Sequence, residues 1–351
     1  MSEPFGRRGL ALLVVVAAAL AVGSASSAAD RPTEKRLSVA GLGQGLGQVR
    51  SRIVRTKVSR RLAAQPGAWG GVYTVKSGAQ VTIYSSRYYT VDPSVNQAAA
   101  DFIDSLVHGS EISAVKIYFA PPAEVGILCY AQEADGCYFP DTGEIITIGE
   151  DTEWSTVEQV VSHEYGHHIA NNRLNDPWPA IAYGTKRWAT YEGVCQKEAA
   201  SAAFPGDEGE HYFQNPGESF AESFMHLNMV KLGLSEPPWG YEMFTPDPGA
   251  LAAIEQDVLK PWKDDAIKRW SGRFTRRGQS KTFTFKTPLD GVFASQLLRG
   301  PHGSTLRLSG PAEVKRMSST LSAGLVCGQR TVTARFVAGG VGRFTAAVAI
   351  P

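Results

Sequence analysis

The feature that most restricts this chain is the run His163-Glu164-Tyr165-Gly166-His167. On a helix, residues four apart differ by only about 40° around the axis, so both imidazoles project from one stripe and can ligate a single ion. Glu164 lies beside that stripe, where its carboxylate can reach a water at the ion without itself becoming a ligand. The helix is announced by Ser155-Thr-Val-Glu158, a capping box in which the serine accepts from a free first-turn amide and the glutamate reaches back. Val157, Val160 and Val161 supply an apolar face, and the helix is expected to run to about Asn172. The plain alternative is two histidines on a solvated helix face.

A hydrolytic zinc site needs a third protein ligand and an open position for water. A metzincin would continue with glycine at 170 and histidine at 173, where this chain has Ala170 and Arg173. An aspzincin-type site would place an acid shortly after Gly184-Thr185, where Trp188 and Ala189 stand. What remains is Glu218-Ser-Phe-Ala-Glu222, 51 residues beyond His167. It falls on a second helix expected to start at Asn215-Pro216-Gly217, with Asn as cap and Pro in the first turn, and to end at Gly233. Two glutamates on an exposed helix stripe are the plain alternative here.

His-Glu-x-Gly-His followed by Glu-x-Phe-Ala-Glu-x-Phe resembles the gluzincin class of HExxH zinc metallopeptidases, closest in motif to its lethal-factor-like branch. The matched region runs from Glu144 to about Leu227. The resemblance implies Zn2+ held by His163, His167 and Glu218, Glu164 as general base, and Glu222 as an outer carboxylate that orients a liganding histidine. Thermolysin-like gluzincins carry aspartate where this chain has Glu222. The branch also places a tyrosine close before its second motif, which makes Tyr212 the first candidate for stabilising transition-state charge, one position out of register. His211 and Tyr183 are rivals, and loop packing accounts for each equally well. Glu144-Ile-Ile-Thr-Ile148 is expected to be the sheet edge that pairs with extended substrate, an interior strand being the alternative. His168 reads as a buried, hydrogen-bonded histidine, and Trp178, Tyr183, Trp188 and Tyr191 as core packing.

The rest of the chain frames this centre. Arg7 and Arg8 precede an apolar run from Leu10 to Val22 and a small-residue stretch to Ala29, the pattern of a secretory signal peptide over residues 1–29. That run is too short to span a bilayer, so no stable membrane insertion is expected. Without these residues, 33 basic side chains face 33 acidic ones, a balance that argues against a nucleic-acid binder. Residues 30–70, with nine Lys/Arg between Arg31 and Arg61 and interleaved glycines, read as a linker or as a pro-segment. In an exported protein the four cysteines should pair. Cys129 with Cys137 is favoured across a short turn, leaving Cys195 with Cys327.

From Gly71, strands are expected at Val72–Val75, Val81–Tyr84 and Val115–Tyr118, with a helix over Asn96–Val107 and a further amphipathic segment from about Pro248 to Trp270. Beyond Lys281, short alternating runs at Thr282–Phe285, Thr305–Leu308, Thr331–Phe336 and Phe344–Ile350 suggest a small β-sandwich. The chain is therefore expected to be α+β, with a zincin-like catalytic domain over 71–275 and an all-β sandwich over 281–351. The expected activity is that of a secreted zinc metalloendopeptidase, a monomer acting on protein or peptide substrates through a zinc-activated water. A zinc-stabilised binding protein without catalysis, which would need a fourth ligand from His211 or His226, and a hydrolase of cell-wall peptide cross-links are the alternatives.

Overall fold

Runs of β-branched and aromatic residues build the first sheet of the computed structural model, which describes residues 51–55, 65–241, 243–310, 313–328 and 330–351. The expected signal peptide and most of the 30–70 stretch lie outside the described residues. Strands β1 (Trp69–Thr74), β2 (Gln80–Ser85), β3 (Lys116–Ala120), β4 (Gly136–Phe139) and β5 (Glu144–Ile148) form a mixed sheet in the order β1-β2-β3-β5-β4. The β2-β3 and β3-β5 pairs are parallel, while β1-β2 and β5-β4 are antiparallel. Parallel neighbours need a crossover, supplied between β2 and β3 by helix α1 (Pro93–Ser105), which Asp92 caps by accepting from Ser94 N–H.

This order corrects one expectation. Strand β5 is interior, paired on both sides and buried along its whole length, and the last strand on this side of the sheet is β4. A strand buried on both faces reads as a continuous apolar run, which Ile145, Ile146 and Ile148 supply.

Helix α2 (Pro122–Leu128) leads into the loop before β4, and the disulfide Cys129–Cys137 closes that loop. The HEYGH run lies in α3 (Val157–Asn171), packed across β4 and β5. Its capping box sits one residue later than expected: Thr156 accepts from Gln159 N–H, and the Gln159 side chain accepts from Thr156 N–H. Ser155 instead donates to Asp135 at 3.0 Å, which removes it from the cap. Short helices α4 (Ala180–Tyr183), α5 (Lys186–Tyr191) and α6 (Val194–Ala199) follow. Helix α7 (Pro216–Leu232) starts on the Asn215 cap, as expected, and stops at Gly233 with φ of 67°. That left-handed turn is open to glycine at little strain. Val161, Tyr165 and Ile169 of α3 meet Phe220, Phe224 and Leu227 of α7 and Ile117 and Ile145 of the sheet in one core.

The amphipathic stretch after Pro248 divides. Helix α8 covers Pro248–Leu259 and ends ahead of Pro261, which disfavours helical backbone in the residue before it. Ala266–Phe274 is then β6, paired along its length with β13 (Gly342–Ile350). A five-stranded antiparallel sheet, β10-β11-β8-β13-β6, faces a three-stranded one, β7-β12-β9. The remaining strands are β7 (Ser280–Thr287), β8 (Gly291–Arg299), β9 (Thr305–Ser309), β10 (Glu313–Arg316), β11 (Leu321–Val326) and β12 (Arg330–Val337). Phe274, Phe336 and Phe344 fill the space between them with Leu306. The chain is thus mixed α and β, with further antiparallel sheets after the mixed one.

Cys195 on α6 and Cys327 after β11 form the second disulfide, 132 residues apart. Both disulfides suit an oxidising compartment. Lys186 on α5 is buried, donating to the Asp176 carbonyl at 2.5 Å with its ammonium 4.4 Å from the Trp262 ring. No helix of the described residues is long and apolar enough to cross a membrane.

Candidate metal centre

Two helices have to come very close for the second motif to reach the first. Gly166 faces Ala221 at the crossing of α3 and α7, where a Cβ at 166 would stand 2.8 Å from Ala221 Cα. Small residues at a crossing let helix backbones approach in this way. The approach places Glu218, in the first turn of α7, against both histidines of α3.

Glu218 Oε2 lies 3.3 Å from His163 Nε2, and Glu218 Oε1 lies 3.3 Å from His167 Nε2. Zinc–ligand bonds near 2.1 Å at tetrahedral angles put ligand atoms about 3.4 Å apart. Each histidine meets that spacing with one Glu218 oxygen, and one ligand atom from each of the three residues falls within 4.8 Å of the others. Among the described residues they form the group of metal-compatible side chains that could hold an ion. The pairing of Oε1 with His167 lacks hydrogen-bond geometry, as expected if both groups aim at a common point rather than at each other. The residues present therefore fit a divalent cation, with the identity of the metal left open by geometry alone.

Behind the ligands, Glu222, one turn along α7 from Glu218, accepts from His163 Nδ1 at 2.9 Å. With Nδ1 donating to Glu222, Nε2 is the nitrogen that faces Glu218 and the one a metal would take in exchange for its proton. Burial alone would lower the pKa of His163, but its hydrogen bonds to Glu218 and Glu222 and their charges outweigh that and raise it to about 10. For Glu218, burial acts upward and is overcome by His167 and His163, leaving it well below the usual carboxylate range. For His167 burial, helped by the charge of His163, outweighs Glu218 and lowers the pKa. Two carboxylates and two imidazoles packed away from water thus create a field that favours positive charge at one point.

Glu164 is held differently. Both its oxygens are buried without a hydrogen-bond partner, and burial raises its pKa to about 8, with His163 and the Ser51 hydroxyl pulling back. The Ser51 hydroxyl acts on it without meeting hydrogen-bond geometry. Room for this carboxylate comes from Gly136 on β4, where a Cβ would lie 2.7 Å from Glu164 Oε1. An unpartnered, fully buried carboxylate is costly to retain for structure alone.

Tyr212 donates to Glu218 Oε2 at 2.8 Å, so the tyrosine singled out from sequence does reach the centre. Its rivals turn away: His211 binds Asp207 at 3.0 Å and stacks on Phe204, and Tyr183 donates to Glu198 at 2.6 Å. His226 pairs through Nδ1 with Glu236 at 2.8 Å, its Nε2 lies 3.9 Å from Glu222, and it is not among the three residues whose ligand atoms converge. His168 is buried between the Glu111 carbonyl and the Tyr138 hydroxyl, at 3.0 and 3.2 Å. Trp188 packs against Phe220 and Phe244, Trp178 stacks on Tyr183, and Tyr191 is exposed and binds Asp247.

Four residues at the centre escaped the sequence reading. Ser51 lies 3.4 Å from His167 Nε2. Glu208 accepts from Ile53 N–H and is pushed upward by burial and by Glu218. Tyr241 is buried against Tyr212, and Gly136 opens space for Glu164. None of the four stands at a diagnostic spacing from HEYGH; Gly136, next to Cys137, offered the only local hint.

No family model, curated protein or solved structure matches this chain.

Proposed function

We propose that the chain is a zinc metallopeptidase of the gluzincin type, with a zincin-like catalytic body, and that it cleaves peptide bonds in protein or peptide substrates outside the reducing cytosol. The single observation that carries this reading is the convergence of His163, His167 and Glu218 beside a buried Glu164 carboxylate that meets no hydrogen-bond partner. A divalent cation held there would supply Lewis acidity to polarise a scissile carbonyl and to make water a better nucleophile. His163, His167 and Glu218 would hold it, and Glu222 would keep the His163 ring in its ligating orientation. Glu164 would take a proton from the attacking water and return it to the departing amine, so that one water is added across the peptide bond. Tyr212, whose hydroxyl already donates into the centre, would supply a hydrogen bond to the oxygen on which charge develops.

The alternative of a metal site serving stability alone needs a closed ligand shell. Among the described residues no fourth histidine, cysteine or carboxylate joins the three, which favours the catalytic reading. The test is Glu164→Gln. Cleavage of a peptide library should disappear while bound zinc stays at one per chain, and turnover retained by that variant rejects the mechanism.

A further inference from the structure

Ser51–Arg55 lies along the outer edge of β4. Tyr138 N–H donates to the Arg52 carbonyl at 3.0 Å and Val54 N–H donates to the Tyr138 carbonyl at 2.8 Å, a parallel bridge centred on Ile53. The side chains alternate as in a strand: Ile53 joins the core containing Tyr138, and Val54 joins the cluster of Cys129, Cys137 and Phe139. Ile53 N–H also donates to Glu208 at 3.3 Å, and Arg52 reaches the Tyr130 carbonyl at 3.2 Å. At the end of this segment the Ser51 hydroxyl stands 3.4 Å from His167 Nε2. With the segment in place, His163, Glu164, His167, Glu218 and Glu222 all have 0% exposure.

An exposed sheet edge is a template for extended polypeptide, and here the template beside the metal centre is taken by the chain's own residues. The attachment is an isolated bridge on one β4 residue, whereas β4 holds β5 along four. Among the described residues, side-chain packing of Ile53 and Val54 and two side-chain hydrogen bonds add to that bridge.

We infer that Ser51–Arg55 is a detachable plug that closes the metal centre and occupies the groove along β4. Displacing it exposes the ligands and frees the edge for an extended peptide. The closure itself rests on contacts within the protein and needs no metal; the identification of the freed groove as a substrate groove rests on the metallopeptidase reading.

The test uses the full chain loaded with cobalt(II). Val54→Pro removes the N–H that Tyr138 accepts and should leave the rest of the molecule intact. EDTA should strip cobalt from this variant about tenfold faster or more than from the unsubstituted chain, since local opening now limits access less. Adding a synthetic Ser51–Arg55 peptide in excess should slow the loss again. Deuterium exchange at the Tyr138 amide, which needs no metal, should accelerate in the variant while β5 amides stay protected, showing that the body remains folded. Stripping rates within about twofold of each other, with Tyr138 exchange unchanged, overturn the plug. Peptide hydrolysis in the same samples separates the two claims. Faster stripping with no hydrolysis keeps the plug and defeats the peptidase, whereas equal hydrolysis and equal stripping in both chains keep the peptidase and defeat the plug. If neither chain takes cobalt, the metal reading fails, and Tyr138 exchange alone decides whether the segment detaches.

Discussion

Gly166 and Ala221 touch backbone to backbone where α3 crosses α7, close enough that a methyl group at 166 would come within 2.8 Å of Ala221 Cα and 3.1 Å of its carbonyl oxygen. Ligand spacing at the metal centre follows from that contact, because Glu218 stands one turn before Ala221 and His163 and His167 flank Gly166. Gly166→Ala should force the helices apart, destabilise the fold by about 1–3 kcal/mol and lower metal affinity at least tenfold. Equilibrium dialysis against graded zinc, with thermal unfolding of the metal-free chain alongside, checks both numbers.

Glu222 accepts from His163 Nδ1 and touches no metal position itself. Glu222→Ala should weaken metal binding by about 10- to 100-fold, and Glu222→Gln, which keeps an acceptor but loses the charge, should fall between that and the natural chain. An affinity indistinguishable from the natural chain in both variants would show that His163 needs no such support.

Gly136→Ala tests Glu164 without altering it. The added methyl meets Glu164 Oε1 at 2.7 Å and Val160 Cγ1 at 2.8 Å, so the carboxylate has to swing. Misplacing a reacting group by about 1 Å can cost on the order of a hundredfold in rate. Turnover should drop steeply while one metal per chain remains bound, a split between kcat and metal content that a general unfolding defect would not produce.

Lys186 gives a pH signature away from the metal. Burial lowers its pKa to about 8 from 10.5, with Asp265, Asp176 and Asp290 opposing. Between those two values the unfolded chain binds more protons than the folded one, so stability rises with pH across about pH 8 to 10.5 and the penalty is fully present below pH 8. The full span is on the order of 3 kcal/mol. Urea midpoints measured at pH 7.5, 8.5 and 9.5 should climb, and Lys186→Met should remove the climb.

Legibility of the sequence followed the range of the interactions. HEYGH, ESFAESF, the Asn215 cap and the Gly233 stop are periodic or local signals, and each corresponds to an observed helix feature. His163 and His167 share a stripe because the phase of one helix is a local property, whereas Glu218 on another helix joins them only through the resemblance of the two motifs to the gluzincin class. The cap falls on Thr156 rather than Ser155 because Asp135, 20 positions away, engages Ser155. Which strand forms the edge is a property of pairing, and β5 and β4, both short and apolar, look alike in sequence. Ala266–Phe274 carries isolated apolar residues, and only its pairing with β13 reveals a strand. Ser51 and Glu208 reach the centre from loops, where spacing along the chain says nothing about proximity.

The bond between Cys195 and Cys327 has a consequence for how the molecule survives damage. A single backbone cut anywhere in the 132-residue interval it spans leaves both fragments covalently joined. Such a nicked chain would migrate as an intact species on a non-reducing gel and separate into two bands only after a thiol is added. The metal ligand Glu218, downstream of the first cysteine, would stay tethered to the histidines of α3 even when the peptide link between them and the C-terminal sheets had been severed.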